Sequence, residues 1–254
     1  MTADAAIVGS GSGTPVLFAN GLGTTAAIWA AYVTRWQAVR RLVHLELPGH
    51  GGASSPTGRI GIGDLADEAV RLLDAARIDK VHVVGVSMGG MIAQWLAARH
   101  PTRVASLTIA SAGVRTGTTA FWEERAASVR ARGLDELAAA MPERWFSAAF
   151  LAGQPAAVEA VVTGLRACDP AGYAACCEAI GAFDGADLVG SITAPTLVVG
   201  GEVDPVSGPE VTKDLAERIS GARYALVAGA SHLLTLERLD EVAELVDELM
   251  ARAG

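Results

Sequence analysis

Gly85-Val86-Ser87-Met88-Gly89-Gly90 follows a run of apolar, mostly β-branched residues at 81–86 and leads into a helical pattern at 88–99 that stops before Pro101. A continuous apolar run of that length suits a strand buried on both faces. A serine flanked by glycines two positions away on each side, where such a strand turns into a helix, is the G-x-S-x-G arrangement. Small residues let the chain bend sharply there and lift the hydroxyl above the end of the sheet. Ser87 is therefore a candidate nucleophile.

The same alternation extends outward. Residues 16–20, 42–47, 104–110, 196–200 and 224–227 read as strands. Residues 64–76 carry apolar positions at helical spacing, with Asp64 placed to cap them, and residues 240–251 form an amphipathic helix. Strands separated by helices predict a mostly parallel sheet with helices on both faces. One stretch breaks the pattern. From 114 to 191 the spacing is helical and no strand is convincing. This predicts an α/β core of residues 1–113 and 192–254, with a helical cap, 114–191, inserted between two core strands.

Bulk properties narrow the function. The 254 residues are 51% hydrophobic and 19% charged, enough for a large core and against general disorder. A net charge of −8 argues against nucleic acid and against an anionic membrane surface. No apolar run is long enough to span a bilayer, and residues 1–10 lack the basic start and apolar stretch of a signal peptide. The three cysteines, Cys168, Cys176 and Cys177, have no metal-ligand spacing and read as reduced, buried thiols of a cytoplasmic protein. The residues set no oligomeric state.

A serine hydroxyl needs a base. Of five histidines, His44 and His82 fall in or beside strands, His50 in a glycine-rich loop, and His100 at a helix end. Only His232, in Gly229-Ala230-Ser231-His232, follows the last strand, where a loop can return over the strand ends. The supporting acid should lie after the preceding strand, in Gly201-Glu202-Val203-Asp204-Pro205. Asp204 is the choice, with Pro205 holding the chain behind it, and Glu202 is the competitor. An oxyanion hole needs two backbone N–H groups. Met88 supplies one at the helix start, and Leu22, in Asn20-Gly21-Leu22-Gly23, is the candidate for the other. Trp29 and Trp36 read as core.

Together these elements resemble the α/β-hydrolase superfamily over essentially the whole chain. A narrower resemblance is to 3-oxoadipate enol-lactonases. Asn20-Gly21-Leu22-Gly23 is similar to their N-S-L-G loop, and Ser87-Met88-Gly89-Gly90-Met91 with Gln94-Trp95-Leu96-Ala97 to their nucleophile helix. In the cap, Phe121-Trp122-Glu123-Glu124-Arg125, Glu143-Arg144-Trp145-Phe146 and Asp169-Pro170-Ala171-Gly172-Tyr173-Ala174-Ala175-Cys176-Cys177 resemble the same family. Two features depart from it. Gly21 stands where serine is usual, and about fifteen residues precede Val16, too few for the usual N-terminal hairpin, which leaves residues 5–8 as one edge strand.

The resemblance implies a serine hydrolase of aromatic catabolism that opens an enol-lactone to 3-oxoadipate, with no metal and no organic cofactor. Its small-molecule substrate would be an anionic lactone, whose carboxylate calls for a cationic or N–H-rich pocket. Arg125, Arg132, Arg144 and Arg166 are cap candidates, against a plain reading of each as a solvated charge. Trp122 and Trp145 either wall the pocket or pack cap against core. Two other functions fit the residues: an esterase or perhydrolase for another small acyl substrate, and a small-molecule receptor on the same fold.

Overall fold

A computed structural model describes residues 7–253. Its chain order begins β1 (Ile7–Val8), β2 (Gly13–Ala19), α1 (Ala30–Trp36), β3 (Arg40–Leu45), α2 (Ile62–Ala75), β4 (Val81–Val86), α3 (Met88–Arg99) and β5 (Val104–Ala110). Six helices then follow: α4 (Thr119–Arg132), α5 (Asp135–Ala140), α6 (Pro142–Trp145), α7 (Ala148–Gly153), α8 (Pro155–Arg166) and α9 (Pro170–Ala182). The chain closes with β6 (Thr196–Gly201), α10 (Pro209–Arg218), β7 (Arg223–Val227), α11 (Leu234–Glu237) and α12 (Leu239–Ala253). We refer to the helical stretch between β5 and β6 as the cap.

Among the described residues the seven strands form one sheet, ordered β1-β3-β2-β4-β5-β6-β7. Every neighbouring pair is parallel except β1 with β3, where Ile7 faces Val43 and Val8 faces Leu42. Ile7 and Val8 thus form the edge strand expected near residues 5–8, while Ala5 and Ala6 lie outside the described residues. Every residue of β4, β5 and β6 is buried. Side chains alternate between faces along a strand, so both faces of the central sheet are covered. Helices α2 and α3 pack together, with α3 against β2, β4 and β5, while α12 packs on β5 and β6 and meets α1. Phe18 of β2 stacks on Trp29 at 4.7 Å and on Trp36 at 5.9 Å, which makes both tryptophans core residues.

Asp64 acts one turn inside the position expected of it. Helix α2 starts at Ile62 behind Gly61, and the Asp64 carboxylate reaches back to accept the Gly61 N–H at 2.8 Å. Gly61 has no side chain to cap with, so Asp64 supplies the returning half of a capping box on its own.

Candidate active site

The turn between β4 and α3 is closely packed. Ser87 holds φ 54° and ψ −117°, a conformation that costs a non-glycine residue about 1–3 kcal/mol. Its surroundings leave no alternative. A Cβ on Gly85 would lie 2.3 Å from the Gly89 carbonyl oxygen, and one on Gly89 would lie 2.0 Å from that of Ala19. Both glycines of the motif are therefore required by close backbone approach, and the Ser87 N–H is tied to the Ala110 carbonyl at 2.9 Å. Among the described residues the Ser87 hydroxyl makes no hydrogen bond and faces a cavity that His232 also lines.

His232 and Asp204 meet from two loops, 28 residues apart in sequence. The His232 Nδ1–H donates to Asp204 Oδ2 at 2.9 Å, which leaves Nε2 with a free lone pair. Asp204 Oδ1 accepts the N–H groups of Val206 at 2.7 Å and Ser207 at 3.0 Å. Burial works to raise the Asp204 carboxyl, but the adjoining His232 and those two donors outweigh it and hold the group below its ordinary pKa. Glu202, the competitor, is exposed and accepts the Gly229 N–H at 2.8 Å. The other histidines are occupied elsewhere. His44 stacks on Phe18, His82 pairs with Ser106, and His100 pairs with Asp67 on the surface.

Leu22 lines the same cavity as Ser87. Among the described residues, neither the Leu22 nor the Met88 N–H donates a hydrogen bond. The loop carrying Leu22 is held from both sides. Gly21 O accepts the Thr24 N–H and hydroxyl, and the Gly23 N–H donates to His50 Nε2 at 2.9 Å. His50 was read from sequence only as a loop residue. Its signal was its place, a histidine enclosed by glycines directly beyond a buried strand.

The cavity measures about 190 Å³. An apolar cavity of about 150 Å³ holds benzene, so this one has room for a small ring with polar substituents. The cap closes it. Trp122, Arg144 and Trp145, the three expected contacts, all line it, as do Arg125 and Tyr173. The Trp122 indole is pinned to the Thr116 carbonyl. Trp145 also serves cap–core packing, since its ring lies against Gly23, where a Cβ would meet it at 3.1 Å. Arg125 lies over the Phe121 and Trp122 rings, and neither it nor Arg144 has a carboxylate partner among the described residues. Arg132 and Arg166 are corrections to the sequence reading. They do not line the cavity and pair with Glu136 and Glu159. Arg132 shares a helix face with Arg125 but lies two turns, about 10 Å, further along at the last residue of α4, and Arg166 is the last residue of α8.

One cap–core joint was not visible in the sequence. Glu237 accepts the Ser231 N–H at 3.0 Å, one residue before His232. It also accepts the Ser147 hydroxyl at 2.6 Å and the Ser147 N–H from the cap, while the Leu233 N–H donates to the Trp145 carbonyl. Its signal was absent, because the partners lie 90 residues apart.

Residues 16–245 match the Alpha/beta hydrolase family. The chain is 31% identical over 237 residues to 3-oxoadipate enol-lactonase 2 of Acinetobacter baylyi, covering 93% of this chain and 88% of that one. It is 28% identical over 273 residues to the 2-hydroxymuconate semialdehyde hydrolase of Pseudomonas sp. strain CF600, covering 96% and 89%. Among solved structures, the enol-lactonase of Burkholderia xenovorans LB400 superposes with a TM-score of 0.94 at 31% identity, covering 98% and 96%. No helix of the described residues is long and apolar enough to cross a membrane. A seven-stranded, mostly parallel sheet, a serine on the turn after its central strand and these matches together establish that the chain belongs to the alpha/beta hydrolase family and acts as a hydrolase on a small molecule.

Proposed function

We propose that this protein is a serine hydrolase that opens 3-oxoadipate enol-lactone to 3-oxoadipate, a step of aromatic catabolism. The observation that carries the reading is a single cavity, with Ser87 and the Asp204-supported His232 on its floor and two cap arginines without acidic partners above them. The similarity to enol-lactonases supports it.

In this reading the Ser87 oxygen attacks the ring carbonyl while His232 Nε2 takes its proton. Negative charge collects on the former carbonyl oxygen, facing the Leu22 and Met88 N–H groups. Asp204 stabilises the imidazolium that forms. The intermediate collapses, the ring C–O bond breaks, and the enolate leaves while still tethered to the acyl-enzyme. Proton transfer from His232 makes it an enol, and its conversion to the ketone prevents reclosure. Water then attacks the acyl carbon, giving its proton to His232, and Ser87 is released. Arg125 and Arg144 face the substrate carboxylate, which loses hydration under the cap and needs a charged partner there.

Loss of the enol-lactone's ultraviolet absorbance tests this directly. Turnover by the wild type that is lost in Ser87→Ala is expected. Hydrolysis of a simple aryl ester with no opening of the lactone would leave an esterase and remove the lactonase reading.

A further inference from the structure

His50 is fully buried, and both of its ring nitrogens are engaged within the loops that border the cavity. Nδ1 lies 2.9 Å from the Pro48 carbonyl oxygen, and Nε2 lies 2.9 Å from the Gly23 nitrogen. A carbonyl can only accept and an amide N–H can only donate. The proton therefore sits on Nδ1, and Nε2 is an acceptor. Burial, partly opposed by the Pro48 hydrogen bond, pushes the ring's pKa down to about 4, so the neutral form that this arrangement demands persists at neutral pH.

The bond matters because of which peptide it holds. The Leu22 N–H belongs to the peptide whose carbonyl is that of Gly21. Thr24 holds that carbonyl through its N–H and its hydroxyl. In a trans peptide the N–H points opposite the carbonyl, so this contact sets where the Leu22 N–H is aimed. The next peptide, Leu22 to Gly23, has no such internal tie. Gly23 sits at φ +79°, in a region where glycine has unusual freedom, and its N–H is held by His50 alone. Without that acceptor a buried N–H would be orphaned, and the peptide would be free to rotate toward another partner.

We propose that His50 is a positioning residue for the oxyanion hole, accepting the Gly23 N–H so that Leu22 stays fixed on both sides. This rests on the reading of Leu22 and Met88 as the oxyanion donors. The same histidine ties the loop to the cap. Its ring stacks on Tyr173 of α9 at 5.9 Å, and Tyr173 lines the substrate cavity. The adjoining Gly49 carbonyl accepts the Asp169 N–H at 2.8 Å.

Two amides separate this role from simple filling of space. The side-chain end of glutamine reaches the position of Nε2, so His50→Gln can still accept from Gly23. Asparagine ends at the position of Nδ1, so His50→Asn keeps the Pro48 contact and loses Gly23. Both lose the stack on Tyr173. Steady-state hydrolysis of p-nitrophenyl acetate, which needs no cap recognition, is the readout at a temperature where melting curves show the variants folded. His50→Asn and His50→Ala should lower kcat by about 10- to 100-fold with KM nearly unchanged, short of the 10²–10³ lost when an oxyanion donor is removed outright. His50→Gln should recover most of that loss. Equal kcat in the Gln and Asn variants, or a rise in KM with kcat unchanged, would overturn the proposal and leave the hydrolase reading intact. A wild type inert toward the ester would overturn the reading of Ser87, Leu22 and Met88 as an ester-cleaving site and this one with it. If His50→Asn does not fold, the wild type decides. An NMR coupling across the N–H···N bond between Gly23 and His50 Nε2 is expected, and its absence refutes the assignment.

Discussion

The two walls of the cavity are built from different materials. The core wall is set by backbone geometry: Ser87 sits on a strained turn framed by glycines at 85 and 89 with no room for a Cβ, and Leu22, Met91, Val206 and His232 line the cavity beside it. The cap wall is side chain: Trp122 and Arg125 from α4, Arg144 and Trp145 from α6, and Tyr173 from α9. Chemistry that stabilises a developing charge needs dipoles held rigidly, and backbone in a packed sheet provides them. Recognition of one substrate over another needs size, shape and charge, which side chains supply and which can change without disturbing the sheet. The core wall should therefore govern rate on any substrate, and the cap wall should govern choice.

Ser87→Ala gives the largest effect, a loss of kcat on the order of 10⁶ on lactone and aryl ester alike. A fluorophosphonate probe should label the wild type at Ser87, and labelling at another residue would break the core side of the comparison. Next is Asp204→Asn, with a loss of about 10⁴ in kcat, as removal of a triad acid causes elsewhere. Glu202→Gln, which touches only a surface turn, should be nearly silent in the same assay. Similar losses from both would undo the choice of Asp204 over Glu202 made from the sequence.

On the cap wall, Arg125→Gln or Arg144→Gln should lower kcat/KM for the anionic lactone by roughly 1.5–3 kcal/mol, the range for a hydrogen bond to a charged group. A neutral aryl ester should lose far less. Parallel loss on both substrates would mean that these arginines shape the cavity and do not read charge. Arg132 and Arg166, paired outside the cavity, serve as controls.

The smallest effect on chemistry is expected at the joint between the walls. Glu237→Gln replaces one of two acceptor oxygens with a donor, which then faces either the Ser231 N–H or the Ser147 hydroxyl. Stability should fall by about 1–3 kcal/mol, the range for unsatisfied buried groups, seen as a lower urea midpoint. KM for the lactone should rise more than kcat falls, because Trp145 is the element released. A fall in kcat alone would show that Glu237 serves His232 and not the cap.

Much of the core wall was legible before any coordinates. The β4–α3 turn, the Ser–Asp–His order and the strands at β4 and β5 follow from local patterns: apolar runs, glycine spacing and chain order. Glycine at 85 and 89 is itself a record of close backbone approach, so the motif carried its own geometry. The cap was legible as helical and little more. Helix α4 has aromatic and basic residues on several sides, so its sequence does not say that Arg125 faces the cavity and Arg132 does not. Asp64 shows the same limit on a smaller scale, since whether it caps from outside or inside α2 depends on where the first turn closes.

The sequence by itself determined the hydrolase sheet, the nucleophile turn and the order of the candidate catalytic residues, because each is written within a few neighbouring residues. Tertiary structure alone decided that His50 holds Gly23 across 27 residues and that Glu237 holds Ser147 across 90, and it brings Asp204, the acid chosen from the sequence, onto His232 while Glu202 stays exposed. Those contacts depend on how separate loops stack over the strand ends. A hydrogen bond between distant residues leaves no periodicity in either segment, so only the folded arrangement can choose among the partners that the chain makes available.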